Sequence, residues 1–174
     1  MEIMRAQRRH AARVFELLGE FARAENQPVP DPTLYFKFLD DGWGATPRFE
    51  AWLVVIDGIE VALALAFNIY SSFQAKQVLY LEDLFVVNSR RRQGIASALV
   101  QHLANSAIER GYARLDWSCK GDNPAASSLY RKVCDREQPK TSYSIVTKRE
   151  RNPTGDAEKL LRWQSICRNL VSQA

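Results

Sequence analysis

A mixed α/β (α+β) fold, one central sheet with helices on its faces, is predicted by three observations on this 174-residue chain. Short β-branched apolar runs alternate along the sequence with segments of helical periodicity. Asp57-Gly58 separates two of the apolar runs by a two-residue turn of the kind that closes a β-hairpin. A third run passes through Asn88-Ser89-Arg90-Arg91-Arg92-Gln93-Gly94 straight into the apolar-periodic stretch 95–108, so a strand, a glycine-bearing turn and a helix start lie together.

Each element follows in order. Ile3-Met4-Arg5 suits a short first strand. Residues 10–24 read as a helix, since Ala11, Val14, Phe15, Leu18 and Phe21 recur three and four apart. Residues 26–32 hold three prolines and must be loop. A second short helix is expected over 33–39, broken by Gly42 and Gly44. Strands at 51–56 and 61–70 flank the Asp57-Gly58 turn, and a polar connection over 71–77 leads to a strand at 78–87. The helix at 95–108 ends at Arg110-Gly111. A strand at 115–119, a helix at 123–133 capped by Asn123 with Pro124 in its first turn, and a last strand at 141–147 complete the core. After Asn152-Pro153-Thr154-Gly155-Asp156, residues 158–171 form an amphipathic helix with Leu160, Trp163, Cys167 and Leu170 on one face. The expected organisation is a domain over 1–147 and a basic C-terminal extension over 148–174.

Composition narrows the function class. Apolar and charged fractions of 46% and 25% are those of a soluble globular domain. No run of about 18 apolar residues exists to span a membrane, and the first residues lack the apolar core of a signal peptide. The three cysteines, Cys119, Cys134 and Cys167, are odd in number and match no metal-ligand spacing, which favours a reducing, cytoplasmic setting and no bound metal. The net charge is +4, of which the segment 148–174 carries +3, with six Lys/Arg against three Asp/Glu. No aromatic-interleaved basic stretch accompanies that charge, so a solvated tail is expected rather than a nucleic-acid contact.

The chemistry-bearing residues cluster in three places. Backbone N–H groups from Arg92, Gln93, Gly94, Ile95 and Ala96 open a helix, with a positive dipole end behind them and Arg91 beside them; such a turn binds phosphate. Neither GxGxxG nor GxxxxGK[ST] is present, so no dinucleotide or nucleotide fingerprint applies. In Tyr80-Leu81-Glu82-Asp83-Leu84-Phe85-Val86 two acids interrupt an apolar strand, which is costly unless they are paired or used. In the helix that begins at Asn123, Ala126, Leu129 and Tyr130 share one face.

Arg91-x-x-Gly94-x-Ala96, followed by Asn123-x-x-Ala126-x-x-x-Tyr130, resembles the pyrophosphate loop and tyrosine helix of the GNAT N-acetyltransferase superfamily. Tyr80-Leu81-Glu82-Asp83-Leu84-Phe85-Val86 resembles the corresponding strand of its spermidine/spermine (diamine) and thialysine branch, and the resemblance covers roughly residues 1–146. It implies a mixed, mostly antiparallel sheet flanked by helices, whose middle strands splay to admit acetyl-CoA, with the helix over 158–171 as an extra element. It implies direct acetyl transfer to a primary amine. The edge of Leu84, Phe85 and Val86 would pair with the pantetheine amides, the turn from Arg91 to Ala96 would hold the diphosphate, and Asn123 would cap its helix or bond the cofactor. Glu82 would remove the amine proton, directly or through water, and Tyr130 would protonate the leaving thiolate. Asp83, on the other face by strict alternation, is left out of catalysis.

The chain departs from the family pattern in two places. Cys134 and Asp135 stand where glycine and an aromatic residue usually follow the tyrosine helix. Tyr70-Ser71-Ser72-Phe73 lacks the acid that polycation-acetylating members carry there, although Glu25, Asp40 and Asp41 could supply negative charge. That absence argues against a demanding polycation, and a smaller amine or an amino-acid side chain fits at least as well. The acceptor class that the resemblance implies is a diamine, polyamine or lysine-like amine, with a homodimer as is common in the branch and no nucleic acid or membrane partner. The alternatives are an aminoglycoside or protein amine as acceptor, and a non-catalytic acyl-CoA-binding module.

Overall fold

The computed structural model describes residues 1–119 and 123–138. The chain divides into a unit Met1–Val133 and a unit Cys134–Ala174, and every element named below lies in the first. The strand expected over 141–147, the helix over 158–171 and the boundary at 147/148 fall outside the described residues.

The elements run β1 (Glu2–Arg5), α1 (Ala11–Ala24), α2 (Tyr35–Trp43), β2 (Glu50–Ile56), β3 (Ile59–Ser71), β4 (Lys76–Val86), α3 (Ile95–Glu109), β5 (Leu115–Trp117) and α4 (Pro124–Val133). The five strands form one sheet in sequence order. β1 to β4 are antiparallel neighbours, and β5 joins β4 in parallel after the α3 crossover. The β2–β3 hairpin turns on Asp57 (φ 54°) and Gly58 (φ 76°), the positive-φ pair that an Asp-Gly turn provides.

Alternation along the strands feeds two cores, one on each face of the sheet. On one face Val54, Ala62, Ala64, Ala66, Leu79 and Leu81 pack with Ile95, Leu99, Val100, Leu103 and Ala107 of α3. On the other, Ala51, Leu53, Leu63 and Phe85 pack with Val14 and Leu17 of α1, bordered by Phe21, Phe38 and Trp43. His10 does local work: its Nδ1 accepts the Gln7 N–H at 2.9 Å just before α1. No helix among the described residues is long and apolar enough to cross a membrane.

Two expectations are corrected. Gly42 lies inside α2, which runs on to Trp43 with Gly44 as its C-cap. A Cβ at Gly42 would stand 2.6 Å from the Phe49 ring, so this glycine admits an aromatic neighbour and does not end the helix. β5 ends at Trp117, two residues early, because its ladder with β4 stops at the pair Leu81↔Trp117.

Candidate active site

The site begins where that ladder stops. β4 continues through Glu82–Val86 while β5 has ended, so the β5-side edge of β4 is open over its last residues. Its hydrogen-bonding direction follows from the β3 side. Val87 donates its N–H to the Val61 carbonyl at 3.0 Å. Bonded and non-bonded positions alternate in an antiparallel ladder, so Phe85 also turns its backbone groups toward β3, whereas those of Leu84 and Val86 face the open edge. Arg91 supports this assignment. Its Nε donates to the Val86 carbonyl at 3.1 Å, on the side away from β3, as a trans peptide requires.

Phe85 is thus the exception among the three edge residues. Its backbone faces β3, and its side chain is buried on the α1 face, where its ring lies 5.6 Å from that of Phe21. The Arg91 guanidinium sits 5.8 Å above the same ring, so this side chain belongs to the mouth of the opening as much as to the turn beyond it.

That turn delivers α3. Arg92 (φ 62°) and Gly94 (φ 79°) are both left-handed, and no side chain caps the helix N-terminus. The first-turn N–H groups are left for an external acceptor, as in anion-binding turns. A Cβ on Gly94 would meet no other heavy atom within 4 Å, so the backbone is approachable there. Ile95 buries its side chain in the α3 core, so only its N–H is free to serve, while Arg92 and Gln93 are exposed.

At the other end of the opening β4 carries a bulge. Leu65 pairs with Asp83 and Ala66 with Leu81, leaving Glu82 as an extra residue. Leu81 and Leu84 both pack on the α3 side. Glu82 and Asp83 therefore share the stretch that Leu65 alone spans on β3, and strict alternation fails. Asp83 is not set apart from Glu82 on an opposite face; it lies beside it, on the face shared with Phe85. Burial, and then the neighbouring Glu82 charge, push its carboxyl up to about 6, while Glu82 stays exposed. The sequence carried a signal for this: apolar Leu81 and Leu84 stand three apart, a phase break in a strand of period two.

Tyr130 reaches the same region from α4. Asn123 caps that helix, its Oδ1 accepting the Ala126 N–H at 3.0 Å. Tyr130 is half-buried against the α3-side core, with its ring 5.4 Å from that of Trp117. Burial, and then the Cys119 thiol, push its phenol up to about 12, so it holds its proton at neutral pH. Among the described residues no group of three or more His, Cys, Asp or Glu side chains is placed to hold a metal ion.

An opened sheet edge, an uncapped helix turn and a tyrosine helix occur here in one chain, and residues 11–135 match the acetyltransferase (GNAT) family. The chain belongs to that family. Among curated relatives, the thialysine N-epsilon-acetyltransferase of Mus musculus is 30% identical over 125 residues, which cover 64% of this chain and 71% of the mouse protein. The L-ornithine N5-acetyltransferase NATA1 of Arabidopsis thaliana is 32% identical over 77 residues, 44% of this chain and 34% of the plant protein. The chain thus spans about a third of the length of that plant relative. A solved structure of a probable acetyltransferase superposes with a TM-score of 0.75 at 24% identity, covering 86% of this chain and all of the other. At that identity the likeness is one of fold, and it agrees with the GNAT topology of a mixed five-stranded sheet with flanking helices.

Within this GNAT domain one of the acids expected near the acceptor is otherwise engaged. Asp41 pairs with Lys37 and, at 3.1 Å, with Arg48, and the Lys37 hydrogen bond holds its carboxyl below the usual range. Sequence reasoning set Asp83 aside and gave the Trp117 side chain no role. The first depends on the bulge. The second depends on where the β4–β5 ladder ends, which no local pattern in β5 announces.

Proposed function

We propose that this chain transfers the acetyl group of acetyl-CoA to a primary amine of a small molecule, of the diamine, polyamine or lysine-like kind. The observation that carries this reading is the parting of β4 from β5 after Leu81↔Trp117, with a carboxyl pair at the bulge and, on α4, a protonated tyrosine against Trp117.

Each part has a task. Leu84 and Val86 offer backbone partners to the peptide-like pantetheine arm. The turn Arg91–Ala96 takes the diphosphate on its N–H groups, with Arg91 and Arg92 adding charge. An alkyl ammonium has a pKa near 10.4 and must lose a proton before it can attack. Glu82, exposed at the bulge, draws the cation in and accepts that proton directly or through a water. Asp83, with its affinity for protons already raised, stands beside it as a partner in the same step. The nitrogen then bonds to the acetyl carbon and the carbon–sulfur bond breaks. Tyr130 gives its proton to the departing sulfur and regains one from solvent. The thialysine and ornithine relatives support an amine with a second charged or polar group, and the two carboxyls suit a dicationic acceptor.

The test is CoA release from acetyl-CoA with putrescine, spermidine, thialysine, L-ornithine and L-lysine. Tyr130→Phe should lower kcat by about 10²- to 10³-fold with acetyl-CoA affinity retained, the range of a lost general acid. Tight acetyl-CoA binding without CoA release to any amine would instead favour a non-catalytic acyl-CoA-binding module.

A further inference from the structure

Trp117 is the last residue of β5, and its partner Leu81 directly precedes the bulge. The Trp117 backbone is therefore fixed at the rung where the sheet opens. The next residue is also held, since Ser118 Oγ and the Tyr80 hydroxyl lie 3.0 Å apart. From this anchored position the Trp117 ring packs into the α3-side core and lies against Tyr130, centroid to centroid 5.4 Å, at 47°. Among the described residues no hydrogen bond is formed by the Tyr130 hydroxyl, so ring packing sets the direction of the phenol.

We infer that Trp117 is a positioning residue for acetyl transfer: its ring, anchored at the final β4–β5 rung, fixes the angle at which the Tyr130 hydroxyl meets the departing sulfur. This rests on the assignment of Tyr130 above. An offset or tilted aromatic contact is directional, and a leucine of comparable burial fills space without fixing a ring plane. A misplacement of a catalytic group by about 1 Å can cost on the order of 100-fold in rate. The loss expected for Trp117→Leu is about 10- to 100-fold in kcat, with the KM for acetyl-CoA little changed.

A double-mutant cycle separates positioning from support. Trp117→Leu, Trp117→Phe, Tyr130→Phe and the two Trp117/Tyr130 doubles are compared by CoA release with thialysine, L-ornithine and putrescine, alongside thermal melting. The expected result is that Trp117→Leu slows the wild-type chain but changes the Tyr130→Phe chain by less than about twofold, and that Trp117→Phe recovers most of the rate. A Trp117→Leu loss of equal size in both backgrounds overturns the inference and leaves Tyr130 as the acid. Tyr130→Phe turning over at the wild-type rate, or no turnover in the wild-type chain, removes the functional reading first and this inference with it. If Trp117→Leu does not fold, the cycle is run with Trp117→Met, which also removes the ring plane, and the same outcomes decide.

Discussion

Replacing Gly94 by alanine isolates the part of the α3 turn proposed to hold the diphosphate, because Gly58 is a matched control. Gly94 sits at φ 79° and Gly58 at φ 76°, and a Cβ on either would meet nothing within 4 Å. Both substitutions therefore impose the same backbone penalty without a steric clash, roughly 1–2 kcal/mol for an L-residue in the left-handed region. For a chain of this length 1 kcal/mol moves the melting temperature by roughly 2–4 °C, so both variants should melt about 2–8 °C below wild type. Ligand affinity then separates them. Gly58→Ala alters a hairpin between β2 and β3 and should leave acetyl-CoA binding unchanged. Gly94→Ala places a methyl on the open side of the N–H groups that would hold the diphosphate. A hydrogen bond to a charged group is worth about 1.5–3 kcal/mol, so the dissociation constant should rise about 10- to 100-fold. Isothermal titration of acetyl-CoA into the two variants makes the comparison. Titration of acetyl-pantetheine, which lacks the diphosphate, should show no difference between Gly94→Ala and wild type. Equal acetyl-CoA affinity in Gly94→Ala and Gly58→Ala would refute the reasoning, because backbone strain alone would then account for everything the substitution does.

Two further outcomes follow from buried carboxyls. Asp83, pushed up to about 6 from 3.8, binds its proton more tightly in the folded than in the unfolded chain. Its contribution is fully present below about pH 4 and is lost as pH rises through 6, on the order of 3 kcal/mol. Asp83→Asn should therefore be more stable than wild type at pH 8 in urea denaturation, with the difference vanishing toward pH 4. Glu50, nearly buried, is held by Arg110 at 2.7 and 3.0 Å and lies 3.6 Å from Arg5. Glu50→Ala removes both hydrogen bonds from Arg110, which keeps the hydroxyl and ring of Tyr112 and is solvent-exposed, and should cost about 1–2 kcal/mol, read as a lower urea midpoint with acetyl-CoA affinity unchanged.

Much of the fold was legible because its signals are local. The periodic apolar positions of α1 and α3 lie in single segments, and Asp57-Gly58 carries its turn in two residues. The glycine turn and Asn123 are equally self-contained: the φ of Gly94 and the Asn123 cap depend on a handful of neighbours. What escaped depends on partners far away in the chain. Gly42 reads as a helix breaker until Phe49 is seen to occupy the place of its side chain. The end of β5 is set by β4 and not by its own residues. The alternation that assigned Asp83 to the far face was sound for an unbroken strand, but a bulge is a relation between two strands, and Leu65 on β3 decides it. The pairing of Trp117 with Tyr130 likewise joins two elements across three undescribed residues.

The bulge also makes one residue of the chain numerically superfluous. Leu81 stays opposite Ala66 and Asp83 opposite Leu65 whether or not anything stands between them. Excising Glu82 would return β4 to perfect two-residue rhythm with every cross-strand partner preserved and both cores intact. The sheet, as an architectural object, has no use for that position. A shortened chain lacking Glu82 should fold at least as readily as the full one, read by urea denaturation, so that the insertion can be removed and the scaffold kept.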